Sequence, residues 1–252
     1  MKDNPISPAA GSARGAGLER VFLALDFATP ARALAWLAEH PRAPRRVKVG
    51  LELFTSGGPA IIQALNAQER SVFLDLKLHD IPQTVAGAVR AAARLGVEWL
   101  TVHAAGGERM LRAAAEAAAE AGGVRPRLLG VTVLTSLDDA ALARLDLPGP
   151  VPERVVRWAR LCREAGLAGV VASAQEAARV RQECGPDFVI VTPGVRPAGT
   201  AKNDQARIAT PAEALRAGAD YLVVGRALTA APDPDRALAE LAAEIENKTA
   251  IS

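Results

Sequence analysis

A chain of 252 residues with 30 Lys and Arg against 28 Asp and Glu carries a formal charge of only +2, a balance that argues against a nucleic-acid or membrane-surface protein. No apolar run reaches the length of a membrane span, and a chain this long can bury roughly three quarters of its unfolded surface without disulfide or metal staples. Its two cysteines, Cys162 and Cys184, lack metal-ligand spacing and read as reduced thiols of a cytoplasmic protein.

Met1 to Gly17 is rich in Ala, Gly, Ser and Pro and has no apolar centre. Residues 1–17 therefore read as a disordered leader and not as a signal peptide, with the folded domain over 18–252. From there short apolar runs alternate with Ala-rich helical patterns. In chain order these are Val21–Asp26 and Pro30–Glu39, Arg46–Leu51 and Gly58–Gln68, Ser71–Asp75 and Gln83–Leu95, then Trp99–His103 and Glu108–Glu120. Next come Leu128–Val133 and Pro152–Ala165, Gly169–Ala172 and Ala174–Gln182, Phe188–Val191 and Pro211–Ala217, and finally Tyr221–Val224 and Pro234–Glu246. Glycine stops follow several helices, as at Leu95-Gly96, Ala165-Gly166 and Ala217-Gly218. The strands are nearly continuous in hydrophobicity, as in a parallel sheet covered by helices. Eight such units predict an α/β fold, a single-domain (β/α)8 TIM barrel. An open doubly wound sheet competes, but no G-x-G-x-x-G follows the first strand. A two-domain chain would need a linker of Pro, Gly and Ser, which is absent.

Barrel chemistry gathers at the C-terminal ends of the strands. Asp26 ends the first predicted strand and Lys48 lies in the second. Asp75 and Lys77 end the third, two residues apart and so on one face of a strand. His103 ends the fourth, Thr135 and Ser136 follow the fifth, Arg196 follows the seventh, and Gly225-Arg226 follows the eighth. Several of these have a plain structural reading: Asp26 alone can cap the first helix, and Asp75 with Lys77 can be a structural ion pair. Lys48 is harder to explain so, because Lys is almost never buried unpaired. His79 and His103 read as structural residues, and His40, before a proline, reads as solvent-exposed. Arg196 and Arg226 on neighbouring loops point to a phosphate ester, since loops after the last two strands of such barrels commonly hold one and Arg supplies a bidentate donor fork.

The segments Leu25-Asp26, Val47-Lys48-Val49-Gly50, Asp75-Leu76-Lys77-Leu78-His79-Asp80-Ile81-Pro82-Gln83-Thr84, Leu134-Thr135-Ser136, Val191-Thr192-Pro193-Gly194-Val195-Arg196 and Tyr221-Leu222-Val223-Val224-Gly225-Arg226 closely resemble the orotidine 5′-phosphate decarboxylase family, from about Val21 to Pro234. The D-x-K-x-x-D-I-P-x-T segment is the specific part. The resemblance implies a homodimeric barrel that decarboxylates orotidine 5′-monophosphate to uridine 5′-monophosphate, in de novo pyrimidine synthesis, with no metal or organic cofactor. It implies Lys77 as proton donor and Asp75 beside the substrate carboxylate. It implies that Asp80 and Thr84 enter the neighbouring subunit's site, with Ile81 in the substrate-binding set. Asp26 and Lys48 resemble ribose-hydroxyl and charge-network residues, and Thr135 a pyrimidine contact. Arg196, Gln205, Gly225 and Arg226 resemble a phosphate grip, with Gln205 on a closing loop that includes Gly199 to Asp204.

The charge order Lys48, Asp75, Lys77, Asp80 alternates in sign. Such an array suits a reaction that leaves an electron pair on a ring carbon unable to delocalise it. A metal-dependent sugar-phosphate decarboxylase or synthase on the same barrel is the rival enzyme, and a catalytically silent nucleotide-binding barrel is the rival of another class.

Overall fold

A computed structural model describes residues 16–196 and 209–249. The elements are β1 (Val21–Ala24), α1 (Pro30–Glu39), β2 (Arg46–Val49), α2 (Leu51–Ala67), β3 (Ser71–Leu78), α3 (Pro82–Arg94), β4 (Trp99–His103), α4 (Gly107–Ala119) and β5 (Arg127–Val131). They continue with α5 (Asp139–Ala143), α6 (Val151–Glu164), β6 (Gly169–Val171), α7 (Ala174–Cys184), β7 (Val189–Thr192), α8 (Pro211–Arg216), β8 (Tyr221–Val224), α9 (Arg226–Thr229) and α10 (Pro234–Thr249). The strands form one closed parallel barrel in sequence order, sealed by β1 against β8. The single-domain (β/α)8 expectation holds.

Alternation along the strands sorts the core into two parts. Phe22, Phe73, Trp99, Leu129, Val189, Val191 and Val223 fill the barrel interior, while a larger apolar layer lies between barrel and helices. Inside, the Phe22 ring meets Phe73 at 5.0 Å, Trp99 at 5.5 Å and Tyr221 at 5.4 Å between centroids. Arg127 lies over Trp99 at 4.3 Å and Arg46 over Tyr221 at 5.4 Å. This aromatic plug occupies the first halves of the strands. The next inward positions, Lys48, Asp75 and Thr101, therefore project toward the opposite end of the barrel.

Local differences have local causes. The helix predicted over Gly58–Gln68 begins earlier, at Leu51, and kinks at Gly58 (φ +54°, ψ −154°). Gly57-Gly58-Pro59 does break the pattern, but the preceding piece is too short to register as periodic. The same brevity hid α5 and α9. Thr29 caps α1, its Oγ1 accepting the Arg32 N–H at 3.4 Å, so Asp26 is not the cap. His40 is not solvent-exposed as expected. It ends α1 half-buried, its ring 4.5 Å from Trp36 and its Nδ1 3.2 Å from Asp235. Cys162 and Cys184 are free and buried on the packed helices α6 and α7, and burial pushes the Cys162 thiol up to about 12. The leader predicted over 1–17 lies outside the described residues as far as residue 15, and Ala16–Arg20 forms a 3₁₀ turn. No helix among the described residues is long and apolar enough to cross a membrane.

Candidate active site

The charged residues meet where the plug ends. Lys77 Nζ lies 2.9 Å from Asp75 Oδ1, Lys48 Nζ lies 3.7 Å from Asp75 Oδ2, and Lys48 Nζ also lies 3.5 Å from Asp26 Oδ1. A chain of alternating charge thus crosses three strands, from Asp26 through Lys48 and Asp75 to Lys77. Side-chain exposure separates deep from outer members: 12% for Lys48, 14% for Asp75, 33% for Lys77 and 47% for Asp26. Of the two ammonium groups, Lys77 is the one presented to the barrel mouth.

Lys77 reaches Asp75 by an unexpected route. Strand alternation alone was expected to put the two side chains together. Instead, the pairing of β3 with β4 jumps from Leu74 opposite Leu100 to Leu78 opposite Val102, and Lys77 takes a left-handed backbone (φ +51°). A non-glycine residue held there costs on the order of 1–3 kcal/mol, and such strain gathers at functional sites. The bulge takes the Lys77 N–H out of the ladder. Thr101, fully buried on β4, accepts that N–H at 2.9 Å and donates its own hydroxyl to Asp75 Oδ1 at 3.0 Å.

Sequence reasoning missed Thr101. Its signal was the alternation Trp99, Thr101, His103, which puts the lone hydroxyl of β4 on the inward face between an aromatic ring and an imidazole. Two glycines also proved to belong to the network. A Cβ on Gly225 would lie 3.1 Å from Asp26 Oδ2 and 3.2 Å from Ala24 Cβ, and one on Gly50 would lie 3.1 Å from Lys48 Nζ. Larger residues at either position would push against the charged groups.

Asp75 and Lys77 form one wall of a pocket of about 90 Å³, with Val131 and Val171 on its apolar side and Leu134, Thr135 and Pro193 at its rim. Thr135 is thus where the sequence puts it. A larger hollow of about 370 Å³ lies outside the barrel against α5, α6 and α7. Its carboxylates already serve the fold: Asp138 accepts the Ala141 N–H and Asp139 the Val151 N–H. It holds none of the barrel-mouth charges. Among the described residues no group of three or more His, Cys, Asp or Glu side chains comes together to hold a metal ion.

A match to the family model described as "Orotidine 5′-phosphate decarboxylase / HUMPS family" runs from residue 19 to residue 241. The chain belongs to this family. It is 58% identical over 204 residues to the orotidine 5′-phosphate decarboxylase of Moorella thermoacetica, covering 79% of this chain and 81% of that one. It is 51% identical over 228 residues to that of Nitrosococcus oceani, covering 90% and 98%. The crystal structure of the orotidine 5′-phosphate decarboxylase from Lactobacillus acidophilus superposes with a TM-score of 0.79 at 36% identity, over 90% of this chain and 99% of that one.

The remaining residues singled out by the family resemblance fall into two groups. Arg196 and Gly225-Arg226 follow β7 and β8, which are paired neighbours in the barrel. The Arg196 N–H donates to Ala209 O at 3.1 Å, and a bridge between Val195 and Ala209 brings residues on either side of 197–208 together. Gln205 and the stretch Gly199 to Asp204 lie outside the described residues. Asp80, Ile81 and Thr84 are all exposed, Ile81 to 66%. Asp80 does not join the ion-pair chain, and its Oδ1 accepts the Ile81 N–H at 2.6 Å instead. The fourth charge beside Lys48, Asp75 and Lys77 is Asp26, not Asp80 as the linear order suggested.

Proposed function

We propose that this chain converts orotidine 5′-monophosphate to uridine 5′-monophosphate and CO2, with Lys77 as the proton donor and without metal or organic cofactor. The single observation that carries the assignment of roles is the chain Asp26–Lys48–Asp75–Lys77, whose outermost ammonium faces the pocket. In the reaction the bond from C6 to the carboxylate carbon breaks, CO2 leaves, and the electron pair stays in an sp2 orbital at C6. The Lys77 ammonium stabilises that pair through space and then delivers its proton to C6. Solvent reprotonates the lysine. Asp75, next to the departing carboxylate, disfavours the bound ground state relative to a transition state in which that charge disperses. The Thr101 bond and the Lys48 ammonium hold Asp75 in place while it does so.

Very slow uncatalysed reactions call for up to about 23 kcal/mol of transition-state stabilisation. No single ion pair supplies that, so binding energy from the remote phosphate has to contribute. Arg196, Gln205, Gly225 and Arg226 are the proposed grip, Asp26 and Lys48 the proposed ribose contacts, and Thr135 the proposed pyrimidine contact. The exposure of Asp80, Ile81 and Thr84 supports the reading that Asp80 and Thr84 complete a second copy's site in a homodimer. Two free buried thiols suit a reducing cytoplasm.

The test is the loss of ultraviolet absorbance of orotidine monophosphate with and without excess chelator. Turnover unaffected by chelator is expected. Turnover abolished by chelator points to the metal-dependent rival on the same barrel, and no turnover at all points to a silent nucleotide-binding barrel.

A further inference from the structure

The imidazoles of His79 and His103 stack, with ring centroids 5.3 Å apart and planes 17° from parallel. The two differ in how firmly they are held. His103 ends β4, its Nδ1 accepts the Ala105 N–H at 3.2 Å, and its ring stands edge-on to Trp158 of α6 at 6.0 Å. His79 follows the bulge of β3, is exposed, and immediately precedes Asp80. Its ring also rests near the turn after β4, where a Cβ on Gly106 would come 3.3 Å from its Cδ2. One face of β4 thus supports the irregular end of β3 twice: Thr101 holds Lys77, and two residues on His103 holds His79.

We propose that His79 is a positioning residue for the shared site: stacked on the fixed ring of His103, it aims Asp80 at the neighbouring subunit, and it leaves Lys77 of its own chain to Thr101. The proposal rests on the reading of Asp80 as a residue lent to a second copy. Beyond Leu78 the strand has ended and α3 starts only at Pro82. Ile81 is tied to that helix by its carbonyl, which accepts the Thr84 and Val85 N–H groups, so the stacking of His79 bears on the span between, residues 79 and 80. Small displacements of a reacting or charged group cost about a hundredfold in rate, so a ring that holds one peptide unit in place has a measurable effect without touching substrate.

The experiment is subunit complementation. His79→Ala, Asp80→Ala and Lys77→Ala are each made, and pairs are co-expressed with separable tags. His79→Ala alone should lose about tenfold to a hundredfold in kcat/KM, and His79→Phe, which keeps a ring over His103, should restore most of it. Mixing Lys77→Ala with His79→Ala should recover up to about a quarter of wild-type turnover, because half of randomly formed dimers are hybrids with one intact site of two. A residue acting on Lys77 of its own chain gives no recovery, nor does a general folding defect. The control pair is Lys77→Ala with Asp80→Ala. No recovery there overturns the shared site, and the proposal with it. Recovery there without recovery in the His79 pair, or a His79→Ala enzyme equal to wild type, overturns the positioning role alone.

Discussion

The buried hydroxyl of Thr101 donates to Asp75 Oδ1 at 3.0 Å, onto the same oxygen that Lys77 Nζ approaches at 2.9 Å. One residue on β4 thereby sets both the carboxylate and, through the Lys77 N–H, the strained backbone that carries the ammonium. Thr101→Val keeps the shape and removes both bonds. It leaves the part-buried Lys77 N–H without its partner, at a cost of up to about 1–3 kcal/mol, and lets Lys77 drift. The expected result is a lower urea midpoint together with a fall in kcat of at least about tenfold, both largely restored by Thr101→Ser. A Val variant with wild-type turnover would show that Thr101 only fills space.

Lys77 is expected to be indispensable for turnover and dispensable for binding. Lys77→Ala removes the proposed proton donor but leaves the apolar pocket wall and the proposed phosphate grip untouched. Titration calorimetry should still detect uridine monophosphate, while single-turnover assays should find no decarboxylation. Decarboxylation near the parent rate would remove Lys77 from the mechanism.

The architecture was legible from the sequence because each strand is a short apolar run between helical patterns, and such periodicity survives without knowledge of the neighbours. Asp26, Lys48, Asp75 and Lys77 were legible for a related reason: charge in or just after an apolar strand has few explanations. What escaped was non-local. Thr101 matters only because β3 bulges, and the bulge depends on register between β3 and β4, which no local pattern in Asp75-Leu76-Lys77-Leu78 announces. The alternating order Lys48, Asp75, Lys77, Asp80 suggested a single array, yet the chain turns after Leu78 and leaves Asp80 outside it. The steric part of Gly50 and Gly225 shows only when the missing Cβ atoms are set against Lys48 and Asp26.

Arg226 begins the short helix α9 on the exposed side of the barrel mouth, so its removal should spare the core. Charge-assisted hydrogen bonds contribute about 1.5–3 kcal/mol each. Arg226→Ala should therefore weaken uridine monophosphate binding by about tenfold to a hundredfold and leave binding of uridine, which lacks the phosphate, unchanged. Equal losses for nucleotide and nucleoside, or no loss for either, would count against a phosphate grip after β8.

His103 makes a prediction about pH and stability. Burial, then the neighbouring His79 and Lys77, lower its pKa from the ordinary value of 6.5. Its Nδ1 also accepts the Ala105 N–H, which the protonated ring cannot do. The folded protein therefore binds a proton at this position less readily than the unfolded chain does. Above pH 6.5 neither state is protonated there, and the full stability is present. As the pH falls below that value the unfolded chain takes up the proton first, so stability declines until the folded-state pKa has been passed. His103→Asn supplies an amide oxygen for the Ala105 N–H and does not titrate. Urea unfolding at about pH 7.5 and about pH 5.5 should show a smaller loss of stability on acidification for the variant than for the parent. Parallel losses in the two proteins would mean that His103 is as easily protonated folded as unfolded, and that acid acts on the fold elsewhere.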